Sequence, residues 1–265
     1  MTAAQTARQR ARAELTSEIK DEARRQLAAG GSQQLSLRAV ARELGMASSA
    51  LYRYFPSRDD LLTALIIDAY DGLGEHAERA VAALPRSAIR GRWRACCHAV
   101  RDWAITCPHE YALIFGSPVP GYRAPRDTVG PAIRVPTVLG GLLADACADR
   151  AADPAPDPRT AAAVLPQPLE RQSEQTAALI APGVPAAMIM AGLIAWTQLF
   201  GMVSFELFGH FVGTTDPADE FFAYAVDQMA SLAGLPPGPP GAGADSDHSH
   251  DAKAESAPGP SGKPV

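Results

Sequence analysis

The chain has 265 residues, of which 47% are apolar and 20% charged, and a formal net charge of −5, which suits a globular protein with room for about two domains and excludes a polycation. The charge is unevenly spread, because residues 1–60 carry ten Lys and Arg against seven Asp and Glu, whereas residues 61–235 carry twelve against eighteen. A mildly basic N-terminal segment on an acidic body is typical of a protein that presents one end to phosphates.

The first 30 residues predict an arm followed by a helix. Residues 1–12 are polar and contain three arginines, which indicates a flexible arm; the alternative is an arm that touches the DNA backbone or minor groove. Apolar residues then recur every four positions, at Leu15, Ile19, Ala23 and Leu27. This period predicts an amphipathic helix over 14–29 that ends at Gly30 and Gly31.

Residues 36–55 have the form of two short helices joined by a tight turn. The first helix carries one apolar stripe, at Leu37, Val40, Ala41 and Leu44. Ser36 precedes the stripe, where its hydroxyl can cap free backbone N–H groups, and Gly45 follows it, where a helix end favours a residue that tolerates a left-handed backbone. A second short segment carries Leu51 and Phe55 on one face. This is the pattern of a DNA-binding helix-turn-helix.

The second helix of this motif has an outward edge that could contact DNA. The predicted DNA contacts are Arg38, Ser48, Ser49, Ala50, Tyr52, Arg53, Tyr54 and Arg58. With Leu51 and Phe55 facing the core, helical geometry points Ser49, Ala50 and Arg53 outward. Of these, the serine is a weak reader, the alanine can contact only a thymine methyl, and the arginine could pair with guanine or phosphate. The flanking tyrosines, and the arginines near the starts of neighbouring helices, suit phosphate oxygens.

Beyond this motif the apolar spacing is helical and shows no sustained alternation of the strand type. A helix capped by Ser57 and continuing to about Leu84 is the natural connector to the body. Further helices are predicted over 89–106, 109–115 and 132–150. The connecting segments are a loop over 116–131, a Pro/Asp-rich linker over 151–158 and an ambiguous, proline-interrupted stretch over 160–181.

Residues 185–212 are almost uninterrupted apolar sequence. Their length raises a transmembrane interpretation, but Gln198 lies centrally, Glu206 follows closely, and no Lys or Arg cluster flanks either end. A helix that is apolar on all sides belongs in a core or a subunit interface. We therefore expect a buried dimerisation helix and no membrane partner, followed by a final helix over 221–232.

Other functional classes find little support. The four cysteines show no CxxC spacing; they are Cys96, Cys97, Cys107 and Cys147. The sequence contains no GxSxG, HExxH or phosphate-cradling glycine loop, so we predict neither a catalytic residue nor a metal or cofactor. The N-terminus does not resemble a signal peptide, which favours a cytoplasmic protein with reduced thiols. Residues 236–265 predict a disordered tail, whose His248 and His250 are a weaker metal-binding alternative.

The sequence resembles the TetR family of bacterial transcriptional regulators over roughly residues 13–73. The matching runs are LSLR at 35–38, LGM at 44–46 and LYRYFPSR at 51–58. In the body, the runs RDWA at 101–104, PHEY at 108–111 and WTQLFG at 196–201 resemble the subgroup with a WHG-type C-terminal domain. Phe200 stands where that subgroup usually has histidine.

This resemblance implies an all-α homodimer. An N-terminal three-helix helix-turn-helix DNA-binding domain (13–73, motif at 36–55) would precede a helical ligand-binding and dimerisation domain (74–235). Dimer contacts would come from 185–212 and 217–232. The partner would be double-stranded DNA with a palindromic operator, and a small molecule in the body would release a repressor from it.

The resemblance also implies a ligand pocket among the body helices. Its expected lining is Trp103, Tyr111, Phe115, Met188, Trp196 and Phe200, although aromatic residues at helical spacing also fit a plain core. No charged cluster marks a substrate, so we expect a largely apolar effector. Ala47 stands where the family often has a helix-capping Ser or Thr, so Ser48 either caps the second helix or reads a base. Two alternatives remain, a transcriptional activator and a non-DNA-binding interaction protein of the same fold.

Overall fold

The structure, a computed structural model, describes residues 3–152 and 165–237. Within these ranges the chain forms helices and turns without a strand, which confirms the all-α prediction. The helices are α1 (Ala3–Gly30), α2 (Leu37–Glu43), α3 (Ser48–Leu51), α4 (Arg58–Ala82), α5 (Ile89–Thr106), α6 (Pro108–Phe115), α7 (Val129–Ala132), α8 (Arg134–Ala152), α9 (Gln167–Ile180), α10 (Ala186–Leu207) and α11 (Ala218–Leu232). Residues 153–164, with most of the predicted linker, and the predicted tail from residue 238 onward lie outside the described residues.

Two hydrophobic clusters organise the described chain, and α4 belongs to both. The smaller cluster joins α1, α2 and α3 to the first half of α4, from Leu61 to Ile66. The larger cluster begins at Ala69 of the same helix and contains α5, α8, α10 and α11. The connector role predicted for this helix is therefore confirmed, since one continuous helix carries packing from the helix-turn-helix unit into the body.

The flexible arm predicted over residues 1–12 is wrong for its described part. The first helix begins at Ala3 and continues without a break to Gly30. The reason lies in composition, because residues 3–13 consist of Ala, Gln, Thr and Arg, which include the best helix formers and no Gly or Pro. The helix ends where predicted, and Gly31 adopts a positive φ of 72°.

Helix α10 is shorter than the predicted 185–212 and is buried on one side only. It ends at Leu207, and turns follow with Gly209 at a φ of 78°. One face packs in the core through Leu199, Phe200 and Val203. Of the described helices, α10 alone is long and apolar enough to cross a membrane. Within its most apolar 18 residues, 39% are buried in the fold. The expected burial in a core is therefore confirmed for this face, and burial of the other side in a subunit interface stays a prediction.

Smaller departures have local causes. The predicted loop over 116–131 contains a single-turn 3-10 helix at Arg126–Thr128 and leads directly into α7. The ambiguous stretch resolves into α9, because Pro166 precedes the helix and Pro168 lies in its first turn, where the missing N–H is not needed.

Candidate nucleic-acid interface

Local sequence chemistry builds the turn between α2 and α3. The Ser36 hydroxyl accepts a hydrogen bond from the Ala39 N–H at 3.4 Å and caps α2. At the other end Gly45 has a φ of 64°, and the Met46 N–H donates to the Ala41 carbonyl at 2.8 Å. This is a Schellman-type ending, which reverses the chain within three residues. The cap and the left-handed glycine predicted from the sequence are both confirmed.

The second half of the motif, residues 48–55, which we call the recognition segment, starts without a side-chain cap. Ala47 occupies the N-cap position of α3, and no side chain accepts a hydrogen bond there. Ser48 is the first helical residue and is exposed. The alternative in which Ser48 replaces the missing cap is therefore wrong, and its hydroxyl remains available to DNA.

The two faces of the recognition segment follow the predicted helical geometry except at Ala50, which was expected to point outward and is half-buried. Regular α-helix ends at Leu51, and hydrogen-bonded turns continue the segment to Phe55, whose N–H donates to the Leu51 carbonyl at 3.1 Å. Leu51 is fully buried and Phe55 nearly so. Ser48, Ser49, Tyr52 and Arg53 are exposed, whereas Ala50 and Tyr54 are half-buried.

A cleft of about 430 Å³ lies beside this segment, where the starts of α2 and α4 meet. Arg38, Tyr52 and Arg58 line it together with the two capping serines, Ser36 and Ser57. The N-terminus of α4 adds the partial positive charge of a long helix. Two guanidinium groups, a tyrosine hydroxyl and this helix end converge on one cleft, which is a set of groups suited to a phosphate.

Arg58 is already engaged within the protein, which the sequence did not predict. Its guanidinium donates to the Leu35 carbonyl at 3.1 Å and to the Ser32 carbonyl at 2.5 Å. These bonds connect the link between α1 and α2 to the start of α4. Arg58 therefore has a structural role besides any contact with DNA. Arg38, in contrast, is exposed, and its side chain forms no hydrogen bond or ion pair with another described residue.

Tyr54 is likewise engaged, by a residue that the sequence placed in the flexible arm. The Arg12 guanidinium lies over the Tyr54 ring, 5.1 Å from its centroid. It also approaches the Arg53 carbonyl at 3.5 Å. The sequence did not predict Arg12 because its contacts are with residues about 40 positions away, in the turns that follow α3, although the uninterrupted run of helix formers around it favours a helix there.

A second cavity, of about 520 Å³, lies between the helix-turn-helix unit and the body. Gly31 and Ser32 form one wall, α6 contributes His109, Ala112 and Phe115, and Ser204 and Phe208 close the other side. No Asp, Glu, Lys or Arg lines it. The cavity thus combines apolar walls with a few hydrogen-bonding groups, as small-molecule sites usually do.

Four of the six predicted pocket residues form one aromatic cluster at the edge of this cavity. Phe200 lies 4.3 Å from Phe115 and 5.6 Å from Trp196, measured between ring centroids. Tyr111 stacks nearby, donates to the Phe200 carbonyl at 3.0 Å, and has a pKa raised by burial to about 12. Of the six, Phe115 lines the cavity and the other five do not.

The remaining two predicted pocket residues pack in the core instead. Trp103 lies against Gly72 of α4, where an added Cβ would be 3.3 Å from the indole nitrogen. The Met188 sulfur lies 3.3 Å from the Cys147 sulfur, between α8 and α10. Both side chains thus take part in packing between helices, and neither lines the cavity.

The body presents an exposed apolar surface on its last two helices, which we call the α10/α11 face. On and just after α10 it consists of Leu193, Ile194, Phe205, Phe208 and Val212, and on α11 of Phe221, Tyr224 and Leu232. The two stripes adjoin through Phe211, whose ring lies 5.7 Å from Phe205 and 5.5 Å from Phe221. An exposed apolar patch of this extent marks an interaction surface.

The chain matches two family models. Residues 19–65 match the model described as "Bacterial regulatory proteins, tetR family", and residues 93–229 match "Tetracyclin repressor-like, C-terminal domain". The first match contains both α2 and α3, and the second contains the body from α5 into α11. Within the described ranges, no group of three or more His, Cys, Asp or Glu side chains could hold a metal ion.

Known relatives cover most of the chain. An HTH-type transcriptional regulator of Mycobacterium tuberculosis, Rv1816, is 39% identical over 233 residues, which are 85% of this chain and 95% of that protein. The solved structure of SCO4313, a protein named for a regulatory role, is 32% identical with a TM-score of 0.67 and covers 84% of this chain and 98% of that one. A protein with unknown function from Rhodococcus sp. RHA1, at 24% identity and a TM-score of 0.60, covers 83% and 95% and shares the fold.

Proposed function

Since the chain belongs to the TetR family and is a DNA-binding transcriptional regulator, we propose that it acts as a homodimeric repressor of a palindromic operator, released when a small molecule binds. It would act in the cytoplasm, where its operator lies. The observation that carries this proposal is the placement of the cleft with Arg38 and Tyr52 beside the exposed edge of α3. A phosphate in that cleft would set this edge toward the major groove.

The exposed edge supports modest reading of bases by each protomer. Ser48 and Ser49 offer short hydroxyls, and Arg53 offers the one long donor on this edge of the described segment. An arginine can bind guanine at two atoms, whereas a serine discriminates weakly. We propose that specificity depends on two such units on one operator and on the shape of the DNA between them.

The α10/α11 face supports the homodimer. Ile194, Phe205 and Phe208 recur at helical spacing on one side of the chain, and Tyr224 of α11 is 65% exposed beside them. The same patch on two copies is self-complementary, as a twofold interface requires. A dimer interface also accounts for the apolar length of α10 better than a membrane does, because its opposite side is already packed in a protein core.

The cavity between α1, α6 and α10 supports effector release. Its walls come from both the helix-turn-helix unit and the body. A ligand in the cavity would therefore change the position of the helix-turn-helix unit relative to the body. The Ser32 wall is bonded directly to Arg58, which also lines the phosphate cleft. We propose an uncharged, partly apolar effector, whose entry would displace the Gly31–Ser32 connection and with it the start of α4.

Selection of bound duplexes from a random pool tests the DNA-binding part. We expect a palindrome whose half-sites lie about 34–36 Å apart, and replacing Arg53 with Ala should relax the preference at one position of each half-site. A non-DNA-binding interaction protein would select no palindrome. A reporter placed behind the selected operator then separates the two directions of control, since deletion of the gene raises expression for a repressor and lowers it for an activator.

A thermal-shift screen with neutral, apolar compounds tests the effector site. Compounds that raise the melting temperature should lose this effect in the Ala112→Phe variant, in which a phenyl ring fills the cavity. Met188→Leu, a change in the core away from the cavity, serves as the control and should keep the response. A panel without any stabilising compound, or an equal response in both variants, would contradict the proposed site.

A further inference from the structure

The first turns of α1 extend beyond the helix-turn-helix core. Side chains from Thr6 to Glu14 are all exposed, and the first fully buried residue of α1 is Ile19. An isolated helix of this length is marginal in water. About three helical turns thus project from the unit without hydrophobic packing to hold them.

The position of this projection is set by Arg12. Its guanidinium lies over the Tyr54 ring at 5.1 Å and near the Arg53 carbonyl, at the end of the recognition segment. Residues before Arg12 extend from this contact toward the start of α1, with their side chains from Thr6 onward exposed. Arg8 lies four residues earlier and so faces the same side of the helix, one turn farther out.

The charge of the projection is uniformly positive. Residues 3–13 contain three arginines and no acidic residue, and the first carboxylate is Glu14. Arg12 brings this basic surface to the end of the recognition segment, so its natural partner is the same polyanion.

We infer that the N-terminal turns of α1 bind phosphates of the duplex that flanks the bases read by α3, through the side formed by Arg8 and Arg12. The inference rests on the proposed operator binding and extends the footprint of each protomer outward from its half-site. These contacts would add affinity without adding base specificity, because phosphates carry no sequence.

Two duplexes separate this contact from operator binding itself. One holds only the selected palindrome, and the other extends it by about one helical turn, about 10 base pairs, on each side. Fluorescence anisotropy should show tighter binding of the unmodified protein to the longer duplex. The Arg8→Gln variant should bind the short duplex normally, lose the gain from the extension, and flatten the log–log salt dependence by about 0.9 for each protomer.

Arg10→Gln is the matched control, since it removes the same charge from the same helix on the side facing away from α3; it should keep most of the gain. The inference is overturned if the extension adds no affinity, if Arg8→Gln binds the long duplex like the unmodified protein, or if both variants lose the gain equally. Failure to bind even the short duplex would instead contradict operator binding.

Discussion

Arg38 and Arg58 line the same cleft beside the recognition segment but differ in the hydrogen bonds that they form within the protein. Arg58 spans from the start of α4 to two carbonyls in the link between α1 and α2. Charged donors to carbonyls contribute more to stability than neutral ones, and their loss would leave Ser32 and Leu35 without these partners. Arg38 lies in the same cleft without such bonds. One residue holds the cleft together, and the other is free for a ligand.

We predict that Arg58→Ala lowers the free energy of unfolding by about 1–2 kcal/mol and weakens DNA binding as the link between α1 and α2 loosens. Arg38→Ala should leave stability unchanged, reduce affinity for all duplexes alike, and flatten the salt dependence by about 0.9 per protomer. Urea denaturation and salt-dependent anisotropy measure the two effects. If Arg38→Ala proved as destabilising as Arg58→Ala, the assigned difference in role would be wrong.

His98 on α5 provides a second test at this scale. Its ring packs against Phe222 of α11 at 5.2 Å, and burial lowers its pKa, with Asp102 and Asp219 opposing and Arg101 adding to the shift. The folded protein therefore favours the neutral ring, and the unfolded chain binds the proton more readily. Stability attached to this group is present above the ordinary histidine pKa of about 6.5 and is lost as the pH falls through that value toward the lowered one.

We predict that the melting temperature falls between about pH 7.5 and about pH 5.5 and that His98→Gln makes this decline shallower. The remaining decline comes from other titrating groups, so the difference between the two profiles isolates His98. Calorimetry across this range provides the measurement. Identical slopes for the two proteins would show that His98 is not held neutral by the fold.

At the scale of helices, Arg101 ties three elements of the body together. Its side chain is 9% exposed, donates to both Glu206 oxygens at 2.7 and 2.6 Å, and meets Asp219 at 2.7 Å. Its guanidinium also lies 5.0 Å from the centre of the Phe222 ring. One buried cation on α5 thus positions α10 and α11, the two helices that form the exposed apolar face.

The two carboxylates should contribute unequally. Neutralising Glu206 leaves the buried guanidinium with Asp219 alone as its counter-charge, and an exposed carboxylate such as Asp219 is screened by water. We predict that Glu206→Gln lowers the free energy of unfolding by about 2–3 kcal/mol, and that Asp219→Asn, whose side chain is 82% exposed, costs less than about 1 kcal/mol. Denaturant titration of both variants tests this order, and equal losses would contradict it.

Elements with local signals were predictable from the sequence. Helix α5 ends where predicted because Pro108 lies two residues beyond its last residue, and the ends of α2 follow from one serine and one glycine. The predicted start of α1 is wrong, since the polar character of residues 1–12 indicates a flexible arm although their alanines and arginines favour helix. The one-sided burial of α10 could not be seen either, because its apolar sequence does not distinguish a core face from an exposed one.

Sites formed by packing between distant segments could not be predicted, because the sequence does not show which segments lie together. The cavity joins residues near 31, 112 and 204, and no spacing in the sequence connects them. The motif places Arg58 at a helix start and so predicts a contact with DNA phosphate, yet its guanidinium donates to two backbone carbonyls of the protein. The WHG-type character of the body stays a prediction, as do the individual DNA contacts.

At the scale of the whole molecule, the few base-reading groups of each protomer make operator binding depend on the apolar α10/α11 face. A single protomer with two serines and one arginine on its edge discriminates few bases, so tight operator binding needs two protomers held at a fixed spacing. The helices that would hold them are also those that Arg101 positions. A variant that loses the dimer should therefore also lose its specificity for the operator.

We predict that Phe205→Glu, which places a charge at the centre of the α10/α11 face, yields a monomer that binds a half-site as the unmodified protomer does and loses the added affinity of the full palindrome. Ile105→Glu on α5 is the matched control, since Ile105 is 49% exposed and Phe205 52%, and it should remain dimeric. Analytical ultracentrifugation measures the mass, and anisotropy compares the duplexes. If folding depends on the dimer, Gln198→Lys, an exposed polar position on the same side of α10, gives a milder test by weakening association. A dimeric Phe205→Glu variant with full palindrome affinity would place the interface elsewhere on the protein.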